Sequence, residues 1–490
     1  MAVVSAGIDG MCGEGRSASG GSMTGREMED EFVSIARTLG GDEDGRRGGS
    51  AYLRQTHALY HGGPSPWAFT PKIFDDREAA VLRDAAEQMG RIMEAVTARF
   101  VEDPHFRSLF ALPPYLDRIC QVPTGYSRMI PLARVDVFLN EETGDFQFCE
   151  LNTDGSAGMT NTVEITRAIE RSATWREFTR RHPRYEAFDV TSACLFALLD
   201  TYAEWARGHQ GAPCLAYPSL AVVDYADSVS ADEVDDFLGR MRDLGVDARF
   251  SDVRDLRVGE WGGDELLLDD EGPIACVWRR AVTSELAQRR CDGADALVDA
   301  TQRGLVCTVG GFRTWPCATK TVFAVLRTPE CRAILTPEQN EFVERHVPLT
   351  LILGGPGATD LSRFSQRERW IVKPSGGYNS VGVTAGMDVA AGEWEERLRA
   401  GVRDHDVIQE YAPQYATPAM AGILDDGDDP MEADPANNME GLYLFNGRFC
   451  GVYTRCGRNS TIGEFTGRLN MGAFVVHDDA GVAPVARGDE

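Results

Sequence analysis

The stretch RVDVFLNEETGDFQFCELN, residues 134–152, constrains the fold more than any other part of this chain. Both of its ends alternate side chains with a period of two, which is the repeat of a β-strand. Between them, Glu141-Glu142-Thr143-Gly144-Asp145 has the length of a hairpin loop and contains a glycine for a strained dihedral angle. The stretch therefore predicts an antiparallel β-hairpin.

Closing this hairpin symmetrically about Thr143 places Asp136 opposite Glu150 and Arg134 opposite Asn152. Two carboxylates directly opposite each other repel, so such a pair usually has a cation or a strong hydrogen-bond donor between its members. We interpret the hairpin as a cradle for Mg²⁺. The alternative that the pattern leaves open is an ordinary exposed hairpin edge with acidic residues.

A second informative stretch is RWIVKPSGGYNSVGV, residues 369–383. It predicts an apolar strand that ends at Lys373, a glycine-rich loop over residues 375–380, and another strand at residues 381–383. Such a lysine supplies a fixed positive charge, and the backbone NH groups of a glycine-rich hairpin can fold over phosphates. The loop is not a Walker loop, because GxxxxGK[ST] is missing and a strand follows it.

Two further segments fit a nucleotide. In TKTVFAVL, Lys320 lies in the first turn of a predicted helix, where a cation is unfavourable unless an anion joins it. VIQEYA, residues 407–412, predicts an apolar strand that turns polar and could present backbone groups and Glu410 to an adenosine. Residues 155–158 form a small-residue turn before a helix predicted over 161–172, and a helix N-terminus suits an anion.

From Cys214 the pattern changes to strand, helix, strand, with a helix over residues 232–244 and a last strand that ends near Arg280. This order predicts a βαβ unit of open α/β type. It has no GxGxxG fingerprint, so we do not expect a dinucleotide there. Arg279 and Arg280 at the strand end could face an anionic substrate, and a structural salt bridge is the alternative.

Composition excludes several classes of function. The formal net charge of −27 argues against a nucleic acid partner, since binding to phosphates requires a basic surface. We find no apolar run long enough for a membrane span and no secretory signal pattern at the N-terminus. The 12 cysteines show neither a CxxC pair nor a metal-binding spacing, so we expect reduced thiols, no zinc and a cytoplasmic location.

In this order, the elements resemble the glutathionylspermidine synthase family, the circularly permuted ATP-grasp ligases. The resemblance covers roughly residues 134–476, and its metal carboxylates precede the lysine loop, whereas they follow it in an unpermuted ATP-grasp. The matching elements are RxD at 134–136, ExN at 150–152, VWRR, TKTVFAVL, VKPxGGxxSxGV, VIQEY and GLYLFNGRFCGVYTR.

The resemblance implies an α/β (α+β) fold, a circularly permuted ATP-grasp with an inserted Rossmann-like pre-ATP-grasp domain. We expect a disordered tail at 1–26, an N-terminal helical region at 27–125, the metal-binding hairpin and following helices at 126–212, the α/β pre-ATP-grasp-like domain at 213–284, the nucleotide-binding part at 285–478 and a second disordered tail at 479–490.

The implied reaction is attack of a carboxylate on the γ-phosphate of ATP, followed by attack of an amine on the acyl phosphate. The acid would be a small molecule or a peptide; the identity of both substrates and the oligomeric state stay open. A non-catalytic nucleotide- or peptide-binding protein and a small-molecule kinase are the alternatives. The implied roles are Mg²⁺ ligation by Asp136, Glu150 and Asn152; phosphate contacts by Lys320 and Lys373; a lid of Ser375, Gly376, Gly377 and Ser380; an adenine hinge of Gln409, Glu410 and Tyr411; and acyl-phosphate stabilisation by Arg134 and Arg455.

Overall fold

The computed structural model describes residues 23–209, 218–377, 380–424, 433–463 and 466–477. The predictions for residues 1–22, for residues 378–379 of the lid, for most of the acidic loop at 424–434 and for the C-terminal tail lie outside this part. The helices are α1 Gly25–Thr38, α2 Glu43–Leu53, α3 Asp76–Glu102, α4 Pro104–Ser108, α5 Pro114–Ile119, α6 Met159–Glu170, α7 Ala173–Arg181, α8 Val190–Gly208, α9 Ala231–Asp243, α10 Thr283–Gln288, α11 Asp292–Arg303, α12 Trp315–Ala318, α13 Thr321–Val325, α14 Pro329–Arg332, α15 Pro337–His346 and α16 Ala391–Asp404.

The strands fall into three larger sheets and two small hairpins. They are β1 Leu59–Tyr60, β2 Gly63–Pro64, β3 Trp67–Phe74, β4 Leu132–Leu139, β5 Phe146–Asn152, β6 Tyr185–Ala187, β7 Ser219–Asp224, β8 Asp247–Asp252, β9 Arg257–Trp261, β10 Asp264–Leu268, β11 Cys276–Arg279, β12 Cys307–Val309, β13 Thr350–Ile352, β14 Trp370–Lys373, β15 Thr384–Ala385, β16 Val407–Glu410, β17 Ala416–Ala419, β18 Asp434–Phe445, β19 Arg448–Gly457 and β20 Leu469–Val476.

The main sheet joins distant parts of the chain. Its strand order is β3-β20-β19-β18-β4-β5, with β6 beside β20 and β17 beside β18. Only β3 and β20 pair in parallel among these strands. Helix α3 covers one face of this sheet with buried side chains such as Leu82 and Met89, which belong to the same core as Val135 and Val137 of β4. The opposite face of β4 is therefore left for polar side chains.

The second and third sheets differ in strand direction. The order β12-β11-β7-β8 is parallel throughout, as expected for the predicted βαβ unit, and α9 connects β7 to β8. The order β13-β16-β14-β15 is antiparallel. A small core that includes Trp370, Trp394 and Ile408 joins this third sheet to α16. The protein is thus a mixed α/β protein, whereas the circular permutation, the inserted domain and the domain boundaries stay predictions.

The predicted register of the hairpin is confirmed. Strands β4 and β5 pair Arg134 with Asn152 and Asp136 with Glu150. Since directly opposite residues in an antiparallel pair point to the same face, these four polar side chains share the face of the sheet away from α3.

A β-bulge inside the hairpin separates its two halves. Asp136 pairs with Glu150, but the next residue, Val137, pairs with Phe148, so that Cys149 is the extra residue on β5. The register predicted by symmetric closure about Thr143 therefore holds for the pairs Asp136–Glu150 and Arg134–Asn152, but not between the bulge and the loop. Bulges often occur beside functional sites, where they change the direction of a side chain.

Three details differ from the predictions. The region 27–125 is not only helical, because WAFTPKIF forms the fully buried β3, where continuous burial hides the alternation that would have revealed a strand. Helix α1 begins at Gly25 with Thr24 as its cap, inside the predicted tail. The strand after the glycine-rich loop is Thr384–Ala385, since residues 381–383 form a turn and only Thr384 and Ala385 pair with β14.

No helix in the described ranges is long and apolar enough to cross a membrane.

Candidate functional site

Two cavities meet at the polar face of the hairpin. Cavity A encloses about 750 Å³, including the space open to solvent, and lies between the β4–β5 hairpin and the third sheet. Its lining is largely apolar and includes Phe138, Ile371, Val383, Met439 and Ile462. Such a lining with a few polar groups at one end is the usual form of a small-molecule site.

Cleft B is wider, with a volume of about 2680 Å³, and extends from the hairpin to the carboxyl ends of β7 and β11. Asn152, Asp224, Glu233 and Arg280 belong to its lining. Cavity A and cleft B share five lining residues, which we call the junction: Glu150, Lys320, Gly377, Ser380 and Arg455.

Asp136 is held by two arginines at the floor of this region. It is fully buried, and its Oδ1 accepts a hydrogen bond from Arg134 Nε at 2.7 Å. Its Oδ2 accepts hydrogen bonds from Arg134 Nη2 at 3.0 Å and from Arg455 Nη2 at 2.9 Å. Both oxygens of the predicted metal ligand are therefore occupied by guanidinium groups, and a contact with Mg²⁺ would require one of the arginines to release it.

The guanidinium groups of Arg134 and Arg455 both lie over the aromatic ring of Tyr453. The centroid of the Tyr453 ring lies 5.1 Å from Arg134 Cζ and 5.3 Å from Arg455 Cζ. The Tyr453 hydroxyl donates to Asn470 Oδ1 at 2.7 Å. Arg134 Nη1 also donates to the Ala157 carbonyl at 2.7 Å. The predicted catalytic pair Arg134 and Arg455 is thus brought together and held in a defined orientation.

Glu150 faces a different cation. Its carboxylate forms an ion pair with Lys320 Nζ, and 24% of its side chain is exposed. Although partial burial favours the neutral acid, Lys320, Arg134 and Lys373 outweigh it and lower the pKa of Glu150 to about 2. Asn152 lines cleft B, and its buried Nδ2 has no hydrogen-bond partner. This side of the hairpin therefore presents an ionised carboxylate and an unsatisfied amide.

Lys373 enters cavity A from the third sheet. Its Nζ donates to the Cys149 carbonyl at 3.0 Å, at the bulge, and to Gln409 Oε1 at 2.6 Å. Burial lowers its pKa, against the opposing influence of Cys149 and Glu150. Lys373 therefore lines the same cavity as Glu150, as a nucleotide site that uses both residues requires.

The predicted lid is only partly in the cavities. Gly377 and Ser380 belong to the junction, whereas Ser375 and Gly376 do not line either cavity. Ser375 has a different contact, since its carbonyl accepts a hydrogen bond from the backbone NH of Lys320 at 2.8 Å. The first residue of the glycine-rich loop is therefore hydrogen-bonded to Lys320, the other lysine predicted to contact the phosphates.

Two of the three residues of the predicted adenine hinge line cavity A, and the third does not. Gln409 and Tyr411 line cavity A. The Tyr411 hydroxyl donates to the Ser460 carbonyl at 2.9 Å. Glu410 is outside the lining and instead accepts a hydrogen bond from Arg369 at 3.0 Å, because alternate residues of a strand point to opposite faces. A contact between the Glu410 side chain and a ligand in cavity A would need this ion pair to open.

Several lining residues were not predicted. Met439 and Phe138 follow from the alternation along β18 and β4, so the sequence contained their signal. Arg280 donates to Glu233 at 2.8 Å, so the structural salt bridge considered for it is present. It also lines cleft B, and its contact with an anionic substrate stays a prediction. By contrast, Ser460, Thr461 and Ile462 lie in a loop after β19 without any pattern of their own.

Lysine is rare in this chain, which makes its positions informative. The sequence contains three lysines among 49 basic residues, namely Lys72, Lys320 and Lys373, and all three are buried. Lys320 and Lys373 both line cavity A. Where arginine serves almost everywhere else, a lysine marks a place where a compact point charge is required in place of a planar fork.

The charges suit a polyphosphate with Mg²⁺. Around the junction, four cationic side chains, from Lys320, Lys373, Arg134 and Arg455, outnumber the two carboxylates of Asp136 and Glu150, which favours an anion at this place. No group of three or more His, Cys, Asp or Glu side chains in the described ranges could hold a metal ion alone. Mg²⁺ usually binds through one or two carboxylates and the phosphates of a substrate, so the donors present fit it.

Comparisons with known proteins add a fold likeness. Neither protein-family models nor curated proteins match the chain. Among solved structures, a glutathione synthetase-like effector from Globodera pallida in its apo form aligns with a TM-score of 0.60 and 12% identity, over 90% of this chain and 99% of that chain. At this identity, the likeness shows a shared fold.

Two further solved structures align less well. A candidate gamma-glutamylcysteine synthetase from Methylobacillus flagellatus gives a TM-score of 0.36 and 12% identity, over 78% of this chain and 88% of that one. An ATP-grasp ligase in complex with its minimal precursor, Mg and ADP gives a TM-score of 0.23 and 13% identity, over 52% and 88%. TM-scores below 0.5 carry no conclusion about this chain.

Proposed function

We propose that this protein is an ATP-dependent ligase that joins a carboxylate to an amine through an acyl phosphate. The observation that carries the proposal is the junction, where the apolar cavity A opens into cleft B between Lys320, Glu150 and Arg455. An apolar cavity and a wider cleft, with cationic groups where they meet, are what phosphoryl transfer between two bound substrates needs.

ATP would bind with its base in cavity A, against Ile371, Val383 and Tyr411. Its phosphates would extend toward Lys320 and Lys373. The glycine-rich loop, with Ser375, Gly376, Gly377 and Ser380, would cover the phosphates, and Gln409 to Tyr411 would form the adenine hinge. A phosphate at this position would replace Glu150 as the partner of Lys320.

Glu150 and Asn152 would hold Mg²⁺, and Asp136 is the predicted third ligand. The ion supplies charge neutralisation at the transferring phosphoryl group when it is bound. The unpartnered Nδ2 of Asn152 is a hydrogen-bond donor, so it would pair with an acceptor such as a phosphate oxygen, and the proposed Mg²⁺ ligand is the amide oxygen Oδ1. Both donors lie on the junction side of the hairpin.

In the first step, a carboxylate oxygen in cleft B attacks the γ-phosphorus of ATP, and ADP leaves. Arg134 and Arg455 would stabilise the acyl phosphate, because their fork geometry fits both carboxylate and phosphate oxygens. In the second step, an amine attacks the acyl carbon and inorganic phosphate leaves. The protein supplies positioning and charge and needs no nucleophile of its own.

The likeness to a glutathione synthetase-like effector supports a ligase of this general kind. Within it, we retain the glutathionylspermidine synthase family, a circularly permuted ATP-grasp and a cytoplasmic setting as proposals. The acid is proposed to be a small molecule or a short peptide. A non-catalytic nucleotide-binding protein and a small-molecule kinase are the competing functions.

An ADP-release assay with Mg-ATP tests the proposal. The acids are the standard amino acids and γ-glutamyl dipeptides as a defined mixture, each run with and without hydroxylamine as a trap for the acyl phosphate. We expect Mg²⁺-dependent ADP release and a hydroxamate detected by mass spectrometry. Nucleotide binding without ADP release would favour the non-catalytic function, and a stable phosphorylated product that does not react with hydroxylamine would favour the kinase.

A further inference from the structure

We propose that the hairpin β1–β2 forms the amine side of cleft B, and that His57 and His61 accept the proton that the amine loses. This inference rests on the proposed ligase function. The hairpin lies in the N-terminal region, which has no assigned role in the resemblance or the proposed site.

The hairpin reaches into the same cleft as the junction. His57, Tyr60, His61 and Gly62 all line cleft B. Tyr60 pairs with Gly63 across a two-residue turn, in which His61 and Gly62 have φ angles of 49° and 78°. Positive φ at both central residues defines a tight hairpin turn, so His61 stands at the tip of the hairpin.

A short chain of hydrogen bonds links Pro66, two residues after strand β2, to the support of Arg134 and Arg455. The Pro66 carbonyl accepts hydrogen bonds from the backbone NH and from Nδ2 of Asn470, at 3.0 and 3.2 Å. Asn470 Oδ1 accepts the hydrogen bond of Tyr453, whose ring lies below Arg134 and Arg455. The segment directly after the β1–β2 hairpin is therefore bonded to the residues that support Arg134 and Arg455.

Both histidine side chains are exposed to the cleft. His61 is in contact with the Tyr60 ring, with ring centroids 4.1 Å apart. The other histidines of the chain, all within the described ranges, do not line cleft B. His182, His209 and His346, for example, are bonded to Glu31, Trp205 and Phe146.

The carboxylates of Asp136, Glu150 and Glu233 are already paired with cations. Asp136 is bonded to two arginines, and Glu150 is paired with Lys320. Glu233, farther along the cleft, is bonded to Arg280 and to the backbone of Gly158. An amine substrate is largely protonated near neutral pH and must lose a proton before it attacks, and an imidazole ring is suited to accept one there. Asp224 at the end of β7, whose pKa burial raises to about 6, also lines cleft B.

Protons and electron pairs are conserved in this step. The substrate ammonium gives one proton to a neutral imidazole ring, and the amine lone pair then forms a C–N bond at the acyl carbon. The C–O bond to the phosphate breaks, and the phosphate leaves with that electron pair and takes up a second N–H proton as hydrogen phosphate. The imidazolium ring then releases its proton to water.

The test compares a protonated amine with a nucleophile that needs no base. Hydroxylamine is unprotonated at neutral pH, so its reaction with the acyl phosphate bypasses the histidines. Wild type and the double variant His57→Ala/His61→Gly are assayed with the acid mixture, Mg-ATP and either hydroxylamine or a mixture of glycine, cysteine, β-alanine and putrescine. Glycine at position 61 retains the positive φ of the turn.

We expect the double variant to lose amide formation by roughly 100-fold while hydroxamate formation stays within about threefold of wild type. Added imidazole should restore part of the amide rate, since the removed rings leave space for it. His105→Ala is the matched control, because His105 is exposed and lies outside the lining of both cavities.

Equal loss of hydroxamate and amide, or an unchanged amide rate, would overturn the histidine assignment. Hydroxamate without any amide in the wild type would overturn the amine side of the cleft. A wild type that forms neither product counts against the proposed ligase itself, so the two failures are distinguishable. The single variants His57→Ala and His61→Gly then assign the proton to one ring or to both.

Discussion

Asp136 and Glu150 are direct partners across the β4–β5 ladder, yet each carboxylate is neutralised by different cations. Asp136 is bonded to two guanidinium groups, and Glu150 is paired with Lys320. The repulsion expected between two opposite carboxylates is therefore removed without a shared ion. The β4–β5 hairpin thus has two arginines at Asp136 and a lysine at Glu150. We propose four tests of this site and of its surroundings.

Lys373→Met should abolish ADP release, with a loss of more than about 100-fold, because the phosphates lose a fixed positive charge. Gln409 Oε1 also loses the ammonium group that donates to it. Lys373→Arg should fail almost as severely, since a planar fork does not fit the space of a buried ammonium group. Arg399→Ala, at an exposed ion pair with Glu395, is the control. Turnover that survives in Lys373→Met would exclude the proposed nucleotide site.

Asp136→Asn should lose ADP release and about 3 kcal/mol of stability, because two buried guanidinium groups lose their counter-charge. Chemical denaturation measures the stability, and Mg²⁺ titration of nucleotide binding separates two roles. A roughly tenfold higher Mg²⁺ requirement would show that the carboxylate contacts the ion. An unchanged requirement would show that it acts by holding Arg134 and Arg455.

Gly441→Ala should displace the Arg134 guanidinium group without touching cavity A. A Cβ at position 441 would lie 2.7 Å from Arg134 Cδ and 3.0 Å from Asp136 Oδ1. We expect product formation to fall by at least about tenfold, stability to fall by about 1–3 kcal/mol, and nucleotide affinity to stay close to wild type. Gly392→Ala in α16 is the control, since a Cβ there has no atom within 4 Å. Equal loss of nucleotide binding would contradict the separate roles of the two cavities.

Glu440→Gln should reduce the pH dependence of stability. Burial raises the pKa of Glu440 from 4.5 to about 8, in a fully buried cluster where Lys72 is the neighbouring cation and Glu141 a further carboxylate. Burial likewise raises the pKa of Glu29 to about 8. The native state therefore binds more protons than the unfolded state between about pH 4.5 and pH 8, so stability falls as the pH rises through this window.

The amide introduced by Glu440→Gln cannot ionise, so the variant should retain at pH 8 the stability that wild type loses, a difference on the order of 2 kcal/mol. Unfolding by urea at pH 5, 6.5 and 8 measures the slope. Glu395→Gln, at an exposed position, should leave the slope unchanged. A slope that is the same in Glu440→Gln and wild type would show that this carboxyl does not titrate in the window.

Local pattern determined much of the fold. The alternation over residues 134–152 predicted the hairpin and its polar face, and the helix–strand order after Cys214 predicted the parallel sheet. Strand β3 was not predicted, because a strand buried on both faces lacks alternation and a lysine such as Lys72 is typical of a surface position. Only the glutamates that surround Lys72 in the fold make its burial acceptable.

For the candidate site too, local sequence pattern determined some features and the tertiary structure determined others. The sequence by itself determined which residues carry charge and which face of its strand each one occupies, since these follow from side-chain type and a period of two. Only the tertiary structure decided their partners: it placed Arg455 on Asp136, Lys320 on Glu150 and Lys373 at the Cys149 bulge. These pairs join residues that lie far apart in the chain, and no local pattern encodes such contacts because they depend on how the sheets pack.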